Sequence, residues 1–283
     1  MKSRCQKTLK DVVTCSGIGI HYGKASTITL KPAPINTGKV FQKINKETNK
    51  VINIPANLNY VLDTCRSTTI GVDSEKISTI EHLMAALSAY ELDNVFIEID
   101  SEELPIGDGS ALSFVELIER AGIIEQKAFI EPYKVNQPVF FEHNKSFLAA
   151  FPSDEFRISY TLHYPHQKTI GTQYHSIIVN QDSFKNEVAN CRTFAIYEEL
   201  CFLLDQGLIK GGCLENALVF KGNCVISQDG LRFFNEPVRH KILDLIGDLA
   251  LIQKPILAHI VAIGSGHYSN VCLGKKILTT IFS

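Results

Sequence analysis

Two short stretches of the chain set a histidine beside carboxylates in helical register. The first, Ser78 to Tyr90, reads STIEHLMAALSAY and puts Glu81 next to His82. The second, from Pro237, reads PVRHKILDLIGDLALI and puts Asp244 four residues after His240, with Asp248 four further on. Residues four apart share one helical face, about a turn from each other. A neutral imidazole and a carboxylate so spaced suit zinc, and a histidine from elsewhere completes a three-ligand site with an open position. A simple hydrogen-bonded His–Asp pair is the other reading. Ile242, Leu243, Leu245, Ile246 and Leu249 make this helix largely buried. Buried His and Asp need partners, and a metal is one.

The first stretch also has two readings. Ser78 is expected to cap a helix, its hydroxyl accepting from an orphaned helix N–H. Leu83, Ala86, Leu87 and Tyr90 then form a core-facing stripe. With Ser78 as cap, His82 is the fourth helical residue, near the positive end of the dipole, which keeps the ring neutral for a metal. Glu81 lies three after Ser78, so it is either the acid of a capping box or a chemical group. His267 sits in the loop GSGHYSN after a strong strand. Loops at strand ends commonly carry chemistry, although an exposed loop histidine reads the same way.

Composition narrows the classes. A chain of 283 residues suits two domains, and 45% hydrophobic with 20% charged residues supports a sizeable core. The net charge of −2 and the lack of a basic stripe give no case for nucleic acid. The opening MKSRCQKTLK has no apolar core of a secretory signal, and no run approaches the ~20 apolar residues of a transmembrane helix. A cytoplasmic monomer is the simplest expectation. The 8 cysteines are irregularly spaced with no C-x-x-C pair, which argues against a zinc ribbon or a disulfide framework. Most read as small buried hydrophobes, with Cys65 and Cys191, beside arginines, open to partial activation.

Along the chain, residues 5–31 alternate as strands. The run G-I-G-I-H-Y-G opens no following helix, so it is not a dinucleotide fingerprint, and its His21 reads as a turn or surface residue. A polar hairpin is expected over 41–50, a strand at 51–55 and a turn at 73–76 before the first helix. The strand at 93–100 and a helix from a Ser110 cap to Ala121, stopped by Gly122, follow. Residues 123–138 are the best linker candidate. Strands are predicted near 139–142, 147–152, 157–162 and 172–179. Their histidines, His143, His163, His166 and His175, lie on different faces or in turns and read as surface or structural. An apolar helix near 196–204, a strand at 216–220, a helix from Pro237 to about Ile252, a strand at 256–263 and a final short strand complete the chain. The two histidine-bearing helices begin alike and each precedes a strand. This faint repeat predicts two domains of like topology facing each other, 1–124 and 125–283.

Six motifs taken together resemble one family. They are S-T-I-E-H-L at 78–83, D-G-S at 108–110, R-T-F at 192–194, G-G-x-L-x-N-A-x-V-F at 211–220, R-H-K-x-x-D-x-x-G-D at 239–248 and G-S-G-H at 264–267. In this order they are similar to the zinc-dependent UDP-3-O-acyl-N-acetylglucosamine deacetylases of lipid A synthesis. The resemblance covers nearly the whole chain, with 39–70 matching least. It implies two similar α+β domains, each with helices packed on β-sheets, and an active site between them. It implies one Zn2+ held by His82, His240 and Asp244, with water in the fourth position. Glu81 is then the general base, and His267 the cationic group that protonates the leaving amine, with Asp248 as its charge partner. Thr193 and Lys241 match groups that stabilise the oxyanion or position substrate. Phe194 and an insert over about 194–222 match a lining for the fatty acyl chain. The implied substrate is a UDP-linked acylated amino sugar, and Lys241 is a candidate for its diphosphate. A zinc hydrolase of another amide and a non-catalytic sugar-nucleotide or lipid-binding module are the competing readings. Hydrolysis of the UDP-linked sugar against simpler N-acetyl sugars separates them.

Overall fold

The computed structural model describes residues 3–44 and 50–281. After β1 (Arg4–Leu9), four strands follow, β2 (Val13–Ile18), β3 (Ala25–Pro32), β4 (Lys39–Ile44) and β5 (Val51–Pro55). A small sheet of β6 (Val61–Asp63), β7 (Thr69–Val72) and β8 (Glu75–Ile77) leads into α1 (Glu81–Ala89), β9 (Val95–Ile99) and α2 (Leu112–Ala121). Next come β10 (Ile123–Ile130) and β11 (Tyr133–Lys134). The pattern then recurs with β12 (Val139–His143), β13 (Ser146–Pro152), β14 (Phe156–Tyr164) and β15 (Gly171–Ile178). An insert holds α3 (Gln181–Glu187), β16 (Phe194–Ile196), α4 (Leu200–Asp205), β17 (Leu218–Lys221) and β18 (Cys224–Ile226). The chain ends with α5 (Glu236–Leu249), β19 (Ile256–Ile263) and α6 (His267–Ile281).

The faint repeat is a repeat of topology. One sheet has the order β2-β3-β9-β4-β5 and the other β12-β13-β19-β14-β15. In each, the late strand enters between the second and third, antiparallel to one and parallel to the other. A parallel neighbour requires a crossover, and α1 and α5 lie within those crossovers. The fold is α+β, as expected. The two inserts, β6–β8 and α3–β18, occupy the same place in each half, between the fourth strand and the crossover helix.

The crossover helices pack on each other. In α1 every residue but Ser88 is buried, and in α5 every residue but Arg239 and Lys241. Helices apolar nearly all round belong in an interior. One hydrophobic core contains both, together with Ile28 and Ile97 of the first sheet and Ile158 and Ile260 of the second.

Several local expectations change. Ser78 is not the cap of α1: the helix begins at Glu81 after Ile80, and no side chain caps it. Ser78 sits two residues earlier, where its N–H donates to Glu102 O and its hydroxyl accepts from Thr69. Thr79 takes a left-handed turn (φ 60°) between them. His82 is therefore in the first helical turn, one residue past the start. Ser110 similarly precedes the start of α2, yet its Oγ accepts from the Leu112 N–H. Residues 123–138, expected as a linker, begin with β10, which pairs antiparallel with β1. The polar hairpin forms as β4 and β5, while its connection, 45–49, lies outside the described residues. Within the expected 73–76 turn, Glu75 and Lys76 already belong to β8. The expected helix near 196–204 starts only at Leu200, after β16. The expected final strand is the helix α6. Its β-branched residues favour a strand locally, but Val271, Leu273 and Ile277 are buried and the helix packs on α5, β12 and β13. Tertiary burial overrides a propensity worth only tenths of a kcal/mol per residue.

Candidate active site

The helix pair brings the two histidine motifs together. His82 comes from the start of α1, and His240 and Asp244 from the second and third turns of α5. Asp244 Oδ1 lies 3.4 Å from His240 Nε2 and 3.8 Å from His82 Nε2. One donor atom from each lies within 4.8 Å of the others, and all three side chains are buried. The two rings meet edge to face at 5.1 Å. His240 Nδ1 donates to Cys191 O at 3.0 Å, which leaves its Nε2 with a lone pair facing Asp244. His82 Nδ1 is buried without a hydrogen-bond partner.

Burial, with a nearby His240, pulls His82 down to about 3, and burial lowers His240 as well. Both rings are neutral near pH 7. Burial pushes Asp244 up, but Lys241 and His240 outweigh it and hold the carboxyl well below the usual range. Lys241 Nζ sits 2.5 Å from Asp244 Oδ2. That contact outweighs the lysine's own burial and raises its pKa. Two neutral imidazoles and a carboxylate, converging and desolvated, form a donor set that fits a zinc ion.

A second pair of groups flanks this cluster. Glu81 Oε1 is 3.9 Å from His267 Nε2, and Glu81 Oε2 accepts from the Thr68 N–H at 3.0 Å. Glu81 is thus not the acid of a capping box. Its pKa is pushed up by burial and by the Asp248 and Asp244 carboxylates, against the pull of His267, to about 7. His267 opens α6 rather than standing in a loop, and is 8% exposed, too little for a solvated surface histidine. Its Nδ1 is 2.9 Å from Asp248 Oδ2. Burial lowers His267, but the Asp248 and Glu81 carboxylates outweigh it and carry it to about 9. A carboxylate that titrates near 7 thus faces an imidazolium that persists to about 9. Such divergent pairs mark acid–base chemistry.

Two cavities meet here, sharing Arg66, Glu81, His82, Thr193 and Phe194. One, of about 750 Å3, is rimmed by Lys145, His163, His166 and Lys241. The other, of about 350 Å3, is apolar and runs past Ile20, Leu200, Leu203, Ile209 and Val219 of the insert and first loop. Phe194 stands at the junction, edge-on to His240 at 6.4 Å and to Phe220 at 5.9 Å. The G-I-G-I-H-Y-G run meets the second half here: a Cβ on Gly211 would lie 2.3 Å from Gly19 O, so only glycine allows the two loops to touch. His21 does lie in a turn, but it is 7% exposed and lines the apolar cavity instead of standing at the surface.

All nine residues singled out from the sequence lie in or directly behind this site. Others that line it, Arg66, His163 and His166, carried no local signal, and His163 and His166 read as surface or structural residues. Thr68, which is fully buried, carries no local signal either. Cys191 is buried and its thiol is pushed up by burial, so it is not activated.

The UDP-3-O-acyl N-acetylglycosamine deacetylase family profile matches residues 6–279. The chain is 56% identical over 281 residues to the UDP-3-O-acyl-N-acetylglucosamine deacetylase of Chlamydia pneumoniae, covering 99% of each chain. It is 55% identical over 281 residues to the enzyme of the same name from Chlamydia caviae, again covering 99% of each. To that of Chlamydia trachomatis serovar L2 it is 53% identical over 281 residues, covering 99% of this chain and 97% of the relative.

Proposed function

This chain belongs to the UDP-3-O-acyl N-acetylglycosamine deacetylase family, and on that premise we propose that it hydrolyses the N-acetyl group of UDP-3-O-acyl-N-acetylglucosamine. The products are acetate and a free amine, the committed step of lipid A synthesis. The observation that carries the reading is the Glu81–His267 pair, 3.9 Å apart, beside the His82–His240–Asp244 cluster.

His82, His240 and Asp244 would hold a zinc ion, since one donor atom from each converges within 4.8 Å and all three side chains are buried. When bound, zinc acidifies water and polarises the amide carbonyl. Glu81, as carboxylate, takes the proton of the attacking water. His267, as imidazolium, gives its Nε2 proton to the nitrogen as the C–N bond breaks, so that a neutral amine leaves instead of an amide anion. Lys241 and Thr193 line the same cavity and are suited to support the oxyanion. The apolar cavity suits the acyl chain, and the cationic rim of the larger one suits the diphosphate. Among the described residues no helix is long and apolar enough to cross a membrane. The reading keeps the expected cytoplasmic monomer.

The test is deacetylation of the UDP-linked substrate with and without chelator, alongside metal analysis. About one zinc per chain and loss of turnover in chelator are expected. Glu81→Ala should retain the metal and lose most turnover. Full activity in chelator overturns the reading.

A further inference from the structure

We propose that Thr68 is a positioning residue that ties the proton-accepting and proton-donating sides of this reaction into one hydrogen-bonded unit. The proposal rests on reading Glu81 as base and His267 as acid. Thr68 lies just before β7, in the insert of the first half, and is 0% exposed. Its N–H donates to Glu81 Oε2 at 3.0 Å. Its hydroxyl donates to Asp248 Oδ1 at 2.5 Å, across the interface between the halves. Its carbonyl accepts from the Ile80 N–H, one residue before α1.

Each bond has a consequence for the reacting atoms. With Oε2 held by a backbone donor, Glu81 presents Oε1 towards His267. Asp248 is fully buried and carries three donors: Thr68 on Oδ1, and Asn270 Nδ2 and His267 Nδ1 on Oδ2. Three donors fix the plane of the carboxylate, and that plane sets where His267 aims its Nε2. Two desolvated carboxylates side by side repel, and a threonine that donates to both lowers that repulsion without adding charge. The N–H serves Glu81 and the hydroxyl serves Asp248, and the β-branched side chain that carries the hydroxyl is stiff at χ1. Thr68 touches no reacting atom in this arrangement and acts only through Glu81 and Asp248.

The experiment measures steady-state kinetics, zinc content and melting temperature for wild type, Thr68→Val, Thr68→Ser, Asp248→Ala and Thr68→Val/Asp248→Ala. Val keeps the shape and the N–H and removes only the hydroxyl. A lost hydrogen bond to a charged group corresponds to about a tenfold effect. Thr68→Val should lower kcat about tenfold, with KM and zinc content nearly unchanged, and Thr68→Ser should restore it. In the Asp248→Ala background, adding Val should cost less than about twofold, because the shared partner is gone. Wild-type kcat in Thr68→Val, a double variant at the product of the two single losses, or no rescue by Ser overturns the role. A lowered melting temperature with kcat per zinc unchanged also overturns it, as that is the signature of a purely structural residue. Should the Val chain not fold, Thr68→Cys is carried through the same cycle with the same criteria. Wild type without metal-dependent deacetylation instead overturns the proposed function.

Discussion

Gly247 of α5 stands against the backbone of Glu81: a Cβ built on it would lie 2.1 Å from the Glu81 carbonyl oxygen. The helix bearing His240 and Asp244 therefore touches the helix bearing His82 at the residue just before that histidine. The missing side chain sets the distance between the two motifs. It is the reason three candidate donor atoms from two halves of the chain fit within 4.8 Å.

Gly247→Ala should consequently injure fold and site together. Overpacking a close helix contact costs about 1–3 kcal/mol, and the added methyl pushes α1 away from α5. We expect a lower melting temperature and zinc retained at well below one per chain. A variant that keeps its metal and its melting temperature would show that the helices can separate without opening the site.

On the proposed mechanism, with Glu81 as base and His267 as acid, the pH profile follows from the signs of the two shifts. Glu81 must be ionised to accept a proton, so the rate should rise with pH through about 7. His267 must be protonated to donate one, so the rate should fall through about 9. Asp248→Asn removes the largest charge that raises His267. Its alkaline limb should move down towards the ordinary histidine value of 6.5. The pair also links to stability. The folded-state value of His267 is raised from 6.5 to about 9, so its contribution is fully present below about 6.5 and lost as pH rises through 9. Rate measurements from pH 5 to pH 11 check this (range chosen as roughly two units beyond each limb). An alkaline limb unmoved in Asp248→Asn contradicts it.

Arg192, in the R-T-F motif, has a structural task that its neighbours Thr193 and Phe194 do not share. It is 1% exposed and pairs with the fully buried Glu236, Nε to Oε1, at 2.9 Å. Glu236 also accepts from the backbone N–H of Arg192 and of Arg232, which anchors the start of α5 to the insert. Arg192→Met strands a buried carboxylate and should cost about 3–5 kcal/mol. Denaturant unfolding reads this directly. The double variant Arg192→Met/Glu236→Gln should recover part of the loss, because no buried charge is then left unpaired.

Chemistry within a few residues was legible in the chain itself. The i, i+4 spacing of His240, Asp244 and Asp248 follows from helical geometry alone, and so does the burial of α5, since its apolar residues surround it. The strands expected at 93–100 and 256–263, and the like beginnings of the two histidine-bearing helices, point to a repeat. The structure turns it into two sheets of one strand order. What the sequence left open was every relation between distant segments. Ser78 has the composition of a cap, yet its hydroxyl is engaged by Thr69 and its backbone by Glu102 and Leu104. The 267–281 segment has strand-like residues, yet it packs as a helix because burial against α5, β12 and β13 outweighs local preference. His163 and His166 lie on a strand end and a turn, and only the facing of the two halves makes them a cavity rim. Thr68 meets Asp248 across 180 residues. No periodicity encodes such a contact. It exists because Gly247 lets two helices touch, and closure of the halves then sets Thr68 between two buried carboxylates, its hydroxyl on Asp248 and its N–H on Glu81.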